Sequence, residues 1–207
     1  MTTPASCQHR LWLASASPRR RALLDSIGVT PERIVAADID ESVISGEEAR
    51  AYVARMAHEK ALAVMPQDAA GGDELWVLGA DTAIVHDGEI FGKPRDYAHF
   101  TAIFDRLQGQ CHQVMSAICL AGPGGHCLQV TVVTDVWLES LSDAQRKAYW
   151  ASGEPRDKAG GYAIQGLGSV FVERIEGSYS AVVGLPLHET ARLLAQVGIP
   201  VWQDCAQ

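Results

Sequence analysis

Short apolar runs alternate with amphipathic stretches along most of the chain, and this alternation predicts an α/β fold. Two turn signals, Asp87-Gly88 inside the apolar segment 84–91 and Pro123-Gly124-Gly125 between two longer runs, predict hairpins. Because hairpins and crossover helices coexist, we expect a mixed, twisted sheet flanked by helices. The predicted strands cover residues 10–15, 33–37, 75–80, 84–91, 111–121, 127–139, 169–175 and 179–183.

Capping residues mark the expected helices. Ser17 is expected to cap a helix over 18–27, and a capping box of Ser45 with Glu48 predicts a long helix over 46–65. Three further helices are expected to start at Asp96, Ser142 and Pro186. Residues 69–73 are expected to form a loop. Since no repeat or long linker interrupts the pattern, we expect one domain over residues 1–207.

The charge balance restricts the classes of partner. The chain has 17 Lys and Arg against 25 Asp and Glu, a net charge of −8, which argues against stable binding to nucleic acid or to an anionic membrane. Its five cysteines are scattered without a Cys-x-x-Cys pair, which favours free thiols. No apolar run reaches the ~20 residues of a membrane span, and the polar start lacks the apolar part of a signal peptide. We therefore expect a cytoplasmic protein.

The segment 14–21 carries the first candidate chemistry, because it lies where a strand ends and a helix begins. Helix N-termini bind phosphate through free backbone N–H groups, and here Ser15, Ser17, Arg19 and Arg20 could add hydrogen bonds to such an anion. The alternative is an ordinary cap followed by solvated arginines. Cations in the first turn oppose the helix dipole, so we favour a bound phosphate.

Lys60 is the second candidate. At 100° per residue it falls in the middle of the apolar face of the long helix. Two interpretations remain open, a side chain that extends past the core to water and a buried amine that binds phosphate.

Carboxylates form the third candidate group. Asp38, Asp40 and Glu41 follow the second strand, and Asp81 is expected directly after the strand 75–80. Carboxylate oxygens at strand ends suit Mg²⁺ or Mn²⁺, which takes its remaining ligands from water and substrate phosphates. Turn formation is the better explanation for Asp38 and Asp40. Asp81 is the stronger candidate.

The glycine-rich segment 152–168 is the fourth candidate. Glycines let the backbone approach a ligand closely, the amide of Gln165 could bind a base edge, and Tyr162 could stack on a ligand. A turn with a buried tyrosine is the alternative. For His112, a structural role is the better expectation.

Taken together, these stretches resemble the Maf family of nucleoside triphosphate pyrophosphatases over nearly the whole chain. The resemblance implies an inosine-triphosphatase-like fold with two lobes around an active-site cleft, and a divalent metal cation, Mg²⁺ or Mn²⁺. The matching motifs are Leu13-Ala14-Ser15-Ala16-Ser17-Pro18-Arg19-Arg20, Asp40-Glu41, Glu59-Lys60-Ala61, Gly79-Ala80-Asp81-Thr82, Gly92-Lys93-Pro94, Gly109 with His112-Gln113-Val114, and Asp157-Lys158-Ala159-Gly160 with Ala163-Ile164-Gln165-Gly166.

The resemblance also implies a role for individual residues. Asp81 would be the catalytic proton acceptor, Glu41 and Asp81 would hold the metal, and the triphosphate would bind to Arg20, Lys60 and Lys93. Arg19, Thr82 and Gln165 are similar to the specificity residues of the branch that hydrolyses dTTP and UTP. The branch acting on 7-methyl-GTP differs at these positions. One departure is Gly161, where a small residue such as Ala is expected.

The resemblance therefore implies hydrolysis of dTTP and UTP to the monophosphate and pyrophosphate, with CTP and modified pyrimidine nucleotides as further substrates. The implied biological role is removal of modified nucleotides before their incorporation. A non-catalytic nucleotide-binding regulator of cell division is the alternative, but the presence of Glu41 and Asp81 favours catalysis. Whether the chain forms a homodimer stays open.

Overall fold

The computed structural model describes residues 10–66 and 75–202, and it confirms a mixed α/β fold. Seven strands form one sheet in the order β2-β1-β3-β5-β6-β7, with β4 paired to β3. β1 is parallel to β2 and β3, and the other pairs are antiparallel. The strands are β1 (Arg10–Ala14), β2 (Arg33–Ile34), β3 (Leu75–His86), β4 (Glu89–Phe91), β5 (Cys111–Ala121), β6 (Cys127–Leu138) and β7 (Val172–Glu176).

Six α-helices cover the two faces of this sheet within the described residues. They are α1 (Pro18–Asp25), α2 (Ala49–Val64), α3 (Tyr97–Leu107), α4 (Asp143–Ala151), α5 (Tyr179–Val183) and α6 (Leu187–Gln196). Short 3₁₀ turns lie at residues 123–125, 154–157, 159–161 and 167–171. None of the described helices is long and apolar enough to cross a membrane. The predicted loop 69–73 lies outside the described residues.

Side chains alternate between the two faces of the sheet along each strand, and the core clusters follow this alternation. Val77 of β3 packs in one cluster with Val53 and Ala57 of α2, whereas its neighbour Leu78 packs in another with Leu24 of α1 and residues of α6. A third cluster joins the far ends of the central strands to α3 and α4. Successive residues of β3 therefore point to opposite faces of the sheet.

Several expected boundaries are wrong. The strand expected at 75–80 continues to His86, because β5 pairs with it as far as Val85, so Asp81 lies inside a strand and not after one. The second strand ends at Ile34. The segment expected at 169–175 is a 3₁₀ turn up to Phe171 and becomes a strand only at Val172.

The segment 179–183 is helix α5, not a strand. Its tyrosine and two valines favour a strand, but Ser178 caps a helix by accepting a hydrogen bond from the backbone N–H of Ala181. Burial of Ala181 and Val183 under the sheet then holds the short helix in place. Packing and capping outweigh the strand preference here.

The expected helix caps have mixed outcomes. The caps at Asp96 and Ser142 are confirmed, the latter as a full capping box. The box expected from Ser45 and Glu48 is wrong, because α2 begins at Ala49 and Glu48 makes no side-chain cap bond. Two other boundary residues, Ser17 before α1 and Pro186 before α6, occupy N-cap positions without such a bond.

Candidate active site

Most of the site residues expected from the sequence line one cavity of about 570 Å³, whereas Asp38 and Asp40 do not, and Asp40 accepts the backbone N–H of Ser42 as a turn residue would. The cavity lies where β1, β3, α1, α2 and the glycine-rich segment meet. Its lining includes Ser15, Ser17, Arg19, Arg20, Glu41, Lys60, Asp81, Thr82, Lys93 and Gln165. Segments that are far apart in the sequence therefore meet around a space large enough for a small ligand.

β3 supplies two of these residues to different parts of the cavity wall. Gly79 and Asp81 lie on the same side of the strand, and an added Cβ at Gly79 would touch the backbone of α2. Asp81 therefore faces α2, while Thr82 lies on the side where α1 packs and contacts Arg20. One strand thus places a carboxylate and a hydroxyl against different partners.

Lys60 bridges two carboxylates. Its Nζ lies 2.7 Å from Oδ1 of Asp81 and 2.7 Å from Oε1 of Glu41. Lys60 and Asp81 are each only 8% exposed, whereas the Glu41 side chain is about half-exposed. The first of the two interpretations of Lys60 is therefore wrong, because its amine ends at carboxylates inside the cavity and not in bulk water.

The pKa of Glu41 reflects this contact. Partial burial would raise it, but the hydrogen bond and the charge of Lys60, helped by Lys93 and Arg20, hold the pKa of Glu41 below its usual value. Glu41 is therefore an ionised carboxylate at neutral pH, available to a cation.

Arg20 joins the N-terminal segment to the opposite wall. Its Nε donates to the carbonyl of Gly184 at 2.9 Å, and its terminal nitrogens lie 3.2 Å from Oγ of Ser15 and 3.4 Å from Oγ1 of Thr82. These contacts hold the guanidinium at the cavity wall in a fixed orientation.

The hydroxyl groups of Thr82 and Ser116, next to Arg20, form hydrogen bonds whose direction follows from their partners. Ser116, a fully buried residue of β5 that the sequence did not identify, lies 2.6 Å from the carbonyl of Ala181 and must donate its single proton there. Its 2.9 Å contact with Thr82 is then a bond that Thr82 donates. Thr82 accepts from Arg20, so the hydroxyl of Thr82 is ordered from both sides.

Arg19 contacts the glycine-rich segment 152–168 at the cavity wall. Its guanidinium is 4.0 Å from the carboxylate of Asp157, which also pairs with Lys158. Lys158 also lines the cavity, a position that the sequence analysis does not predict, although Lys158 belongs to the motif Asp157-Lys158-Ala159-Gly160. Backbone contact between Gly160 and Gly92 brings the Lys93 turn against the same segment.

Tyr162 and His112 form a buried pair behind the cavity. His112 Nε2 lies 2.6 Å from the Tyr162 hydroxyl, and burial, with a smaller contribution from His86, lowers the pKa of His112 to about 4. The imidazole is therefore neutral at physiological pH. Its position against a core tyrosine agrees with the structural role expected for it, and Tyr162 lines the cavity as a packed ring.

Gly161, the departure noted in the sequence, has a local explanation. Its φ of +73° lies in the left-handed region, and an added Cβ would come within 2.8 Å of the ring of Phe100. Glycine therefore fits this position better than alanine would.

The donor set also fits a divalent cation. Lys60 contacts one oxygen of Glu41 and one of Asp81, so the second oxygen of each carboxylate could bind a metal ion. Within the described residues, no group of three or more His, Cys, Asp or Glu is arranged to hold a metal. Two carboxylates with substrate phosphates as further ligands is the usual arrangement for Mg²⁺.

Comparison with known proteins gives the family. The family model of Maf-like proteins matches residues 10–197. The chain belongs to the Maf-like family. This match includes every cavity residue described above.

Several relatives of this Maf chain carry the same name, dTTP/UTP pyrophosphatase. The one from Chromobacterium violaceum is 51% identical over 91% of this chain and 95% of its own length. The one from Hahella chejuensis is 48% identical over 95% and 96%, and the one from Escherichia coli O157:H7 is 52% identical over 89% and 91%. A solved dITP/XTP pyrophosphatase from Mycobacterium abscessus is 15% identical, with a TM-score of 0.39 over 70% of this chain and 94% of its own.

Proposed function

We propose that this Maf protein hydrolyses dTTP and UTP to the nucleoside monophosphate and pyrophosphate, with Mg²⁺ or Mn²⁺. The relatives at about 50% identity over most of the chain carry this name. The observation that carries the proposal to this chain is the arrangement of Glu41 and Asp81 around Lys60 in a cavity that also contains Arg20. It combines a candidate base, ligands for a cation and groups that bind phosphate.

In the proposed reaction, Asp81 accepts a proton from a water molecule whose oxygen attacks the α-phosphorus. The bond from that phosphorus to the bridging oxygen breaks, and pyrophosphate leaves. Lys60 keeps the carboxylate of Asp81 oriented through a 2.7 Å bond. A divalent cation bound to Glu41 and Asp81 would neutralise charge on the phosphate oxygens.

The remaining cations act by position. Arg20 is fixed by Gly184, Ser15 and Thr82 at the cavity wall, and the exposed Lys93 lines the same cavity. Both are proposed to bind the triphosphate, with Ser15 and Ser17 at the start of α1. Charges placed in advance lower the barrier to phosphoryl transfer because they need not reorganise during the reaction.

Base choice is proposed to depend on three residues of the cavity lining, Arg19, Thr82 and Gln165. The assigned hydrogen bonds leave Thr82 without a free proton, so toward a ligand its hydroxyl can only accept. Gln165 is exposed and has both a donor and an acceptor in its amide, as recognition of a pyrimidine edge requires.

The cellular setting is part of the same proposal. A net charge of −8 supports action on free nucleotides and not on nucleic acid, and the protein is proposed to work in the cytoplasm. The proposal also includes action on CTP and the removal of modified nucleotides before their incorporation.

Pyrophosphate release tests the proposal. Purified protein is incubated with dTTP, UTP, CTP, dATP, GTP and 7-methyl-GTP, with Mg²⁺, with Mn²⁺ and with chelator. We expect metal-dependent release led by dTTP and UTP. The Asp81→Asn variant should lose at least about 100-fold in kcat, since the base is gone. The control is Asp87→Asn, the same change on the exposed tip of the β3–β4 hairpin.

The outcomes separate two classes of function. Near-normal turnover by Asp81→Asn would remove Asp81 as the base. No release from any nucleotide, together with nucleotide binding, would favour the regulator of cell division that binds nucleotides without turnover.

A further inference from the structure

The segment 163–168, which carries Gln165, is held by two side chains outside the cavity. Ala163, Ile164 and Gln165 line the cavity, whereas Glu154 and Tyr149 are absent from its lining. Glu154 follows the left-handed Gly153 at the start of a 3₁₀ turn, and Tyr149 is a buried residue of α4. Both therefore approach the segment from behind.

Glu154 binds the C-terminal end of this segment. Its Oε2 accepts the backbone N–H of Leu167 and its Oε1 accepts that of Gly168, each at 2.9 Å. One carboxylate thus fixes two successive peptide groups directly after Gln165 and Gly166. Such charge-assisted bonds to backbone N–H groups are among the stronger hydrogen bonds in proteins.

Tyr149 closes the arrangement at the other end. Its hydroxyl donates to Oε1 of Glu154 at 2.8 Å and accepts the backbone N–H of Ala163 at 3.2 Å. The two side chains therefore bridge the start and the end of a six-residue loop, with Gln165 between the fixed points.

The backbone of the loop is fitted to this bridge. Gly166 has a φ of +127°, and an added Cβ would lie 2.3 Å from Oε2 of Glu154. A Cβ at Gly168 would lie 2.7 Å from the hydroxyl of Tyr149. Both glycines are thus needed for the close approach of the two side chains.

The charge state of Glu154 agrees with its contacts. Burial would raise its pKa, but the N–H groups of Gly168 and Leu167, the Tyr149 hydroxyl and the charge of Lys158 together lower it. Glu154 therefore accepts these bonds as a carboxylate at neutral pH.

We propose that Glu154, supported by Tyr149, is a positioning residue for base selection, because it fixes the loop that presents Gln165 to the nucleotide. This inference rests on the proposed function, in which Gln165 contacts the base. Glu154 itself touches no substrate. It acts by reducing the number of conformations that the loop 163–168 adopts before the nucleotide binds.

The first experiment measures kcat and KM of Glu154→Gln for dTTP, UTP and CTP. The amide of glutamine keeps the size of the side chain but places an N–H₂ group against a backbone N–H, so one of the two peptide contacts is lost. We expect KM for dTTP and UTP to rise about tenfold, the preference over CTP to shrink, and kcat to change much less. Glu173→Gln, an exposed carboxylate on β7, is the matched control.

Gln165→Ala gives the reference for this effect, since it removes the amide itself. Glu154→Gln should shift the substrate preference in the same direction as Gln165→Ala, and combining the two changes should add little. A loss of kcat equal for all nucleotides with unchanged KM, or full additivity of the two changes, would overturn the positioning role.

Amide hydrogen exchange tests the same claim without turnover. The peptides covering 163–168 should exchange faster in Glu154→Gln and in Tyr149→Phe than in the wild type, while β3 and β5 keep their protection. Unchanged exchange in the loop would overturn the proposal even if activity falls. If the wild type released no pyrophosphate at all, the proposed function would fail, while exchange would still decide whether Glu154 orders this loop.

Discussion

Replacing Gly79 by Ala should damage both stability and activity, because this glycine lets α2 approach β3. An added Cβ would lie 2.1 Å from the carbonyl oxygen of Ala57 and 2.7 Å from the backbone nitrogen of Ala61. Ordinary contact begins at 3.4 Å, so the first distance is about 1.3 Å too short. Both atoms belong to the backbone of α2, and no side-chain rotation can relieve the contact.

The helix must therefore move away from the sheet by roughly 1 Å, which is overpacking of a kind that typically costs about 1–3 kcal/mol. The change from Gly to Ala also restricts the unfolded chain, but this gain of about 0.4–1 kcal/mol is smaller. Lys60 lies between Ala57 and Ala61 on the moving helix, and it would be drawn away from Asp81. A displacement of this size at the proposed catalytic contact would cost about 100-fold in rate.

Urea unfolding and kcat/KM on dTTP, measured on the same preparation, check the prediction. We expect Gly79→Ala to unfold at lower urea and to lose most of its activity. Gly92→Ala is the control for stability, since a Cβ there meets nothing within 4 Å. If Gly79→Ala unfolded at the same urea concentration as the wild type and kept its kcat/KM, the argument that close packing of α2 sets the position of Lys60 would be refuted.

Two further changes test buried polar contacts. Ser116→Ala removes the acceptor of the Thr82 hydroxyl and the donor to the Ala181 carbonyl. We therefore expect a loss of about 1–3 kcal/mol in the free energy of unfolding and a lower kcat/KM. An unchanged urea midpoint would contradict the hydrogen bonds assigned to Ser116 and Thr82. The pKa of His112 is about 4 in the folded protein but near 6.5 in the unfolded chain. Between these pH values the unfolded chain binds a proton that the folded protein does not. The free energy of unfolding should therefore fall by roughly 3 kcal/mol as the pH drops from about 6.5 to 4. His112→Gln does not titrate, and its urea midpoint should depend less on pH over this window; identical profiles would show that His112 is not the cause.

The sequence predicted most of the fold where local signals and packing agree. The hairpin at Asp87-Gly88 formed as expected because both residues have positive φ, as a tight two-residue turn requires. The caps at Asp96 and Ser142 formed because each side chain reaches a free backbone N–H. Local chemistry alone determines these features, so they can be predicted without knowledge of the tertiary structure.

The errors occur where a contact that the local sequence pattern does not show determines the structure. Glu48 was expected to close a capping box, but the neighbouring Glu47 instead accepts the backbone N–H of Ile44 and pairs with Arg55 at 2.6 Å. Asp81 was expected to end its strand because a charged residue interrupts the apolar pattern. The strand continues since Asp81 faces Lys60, a residue 21 positions earlier in the chain. Polar residues inside a strand can therefore indicate a cavity wall and not a strand end.

Periodicity likewise identified Lys60 as unusual without giving its partners. The helical pattern placed it on the buried face, but Glu41 comes from the loop before the helix and Asp81 from another strand. In the sequence, only the resemblance to the family motifs assigns Glu41, Lys60 and Asp81 to one site. Ser116 carried no such signal, because a serine among apolar residues of β5 is typical of an ordinary strand.

The charges around the cavity favour a small anionic ligand over a large one. The cavity lining contains five cations against three acids, although the whole chain has a net charge of −8. Among the described residues, the three acids each pair with Lys or Arg, whereas Arg20 and Lys93 form no ion pair. A triphosphate that entered the cavity would meet these two cations, which no carboxylate neutralises, at short range. A nucleic acid too large to enter would meet the repulsive field of the whole surface, so we expect the same charge distribution to favour a nucleotide over the polymer.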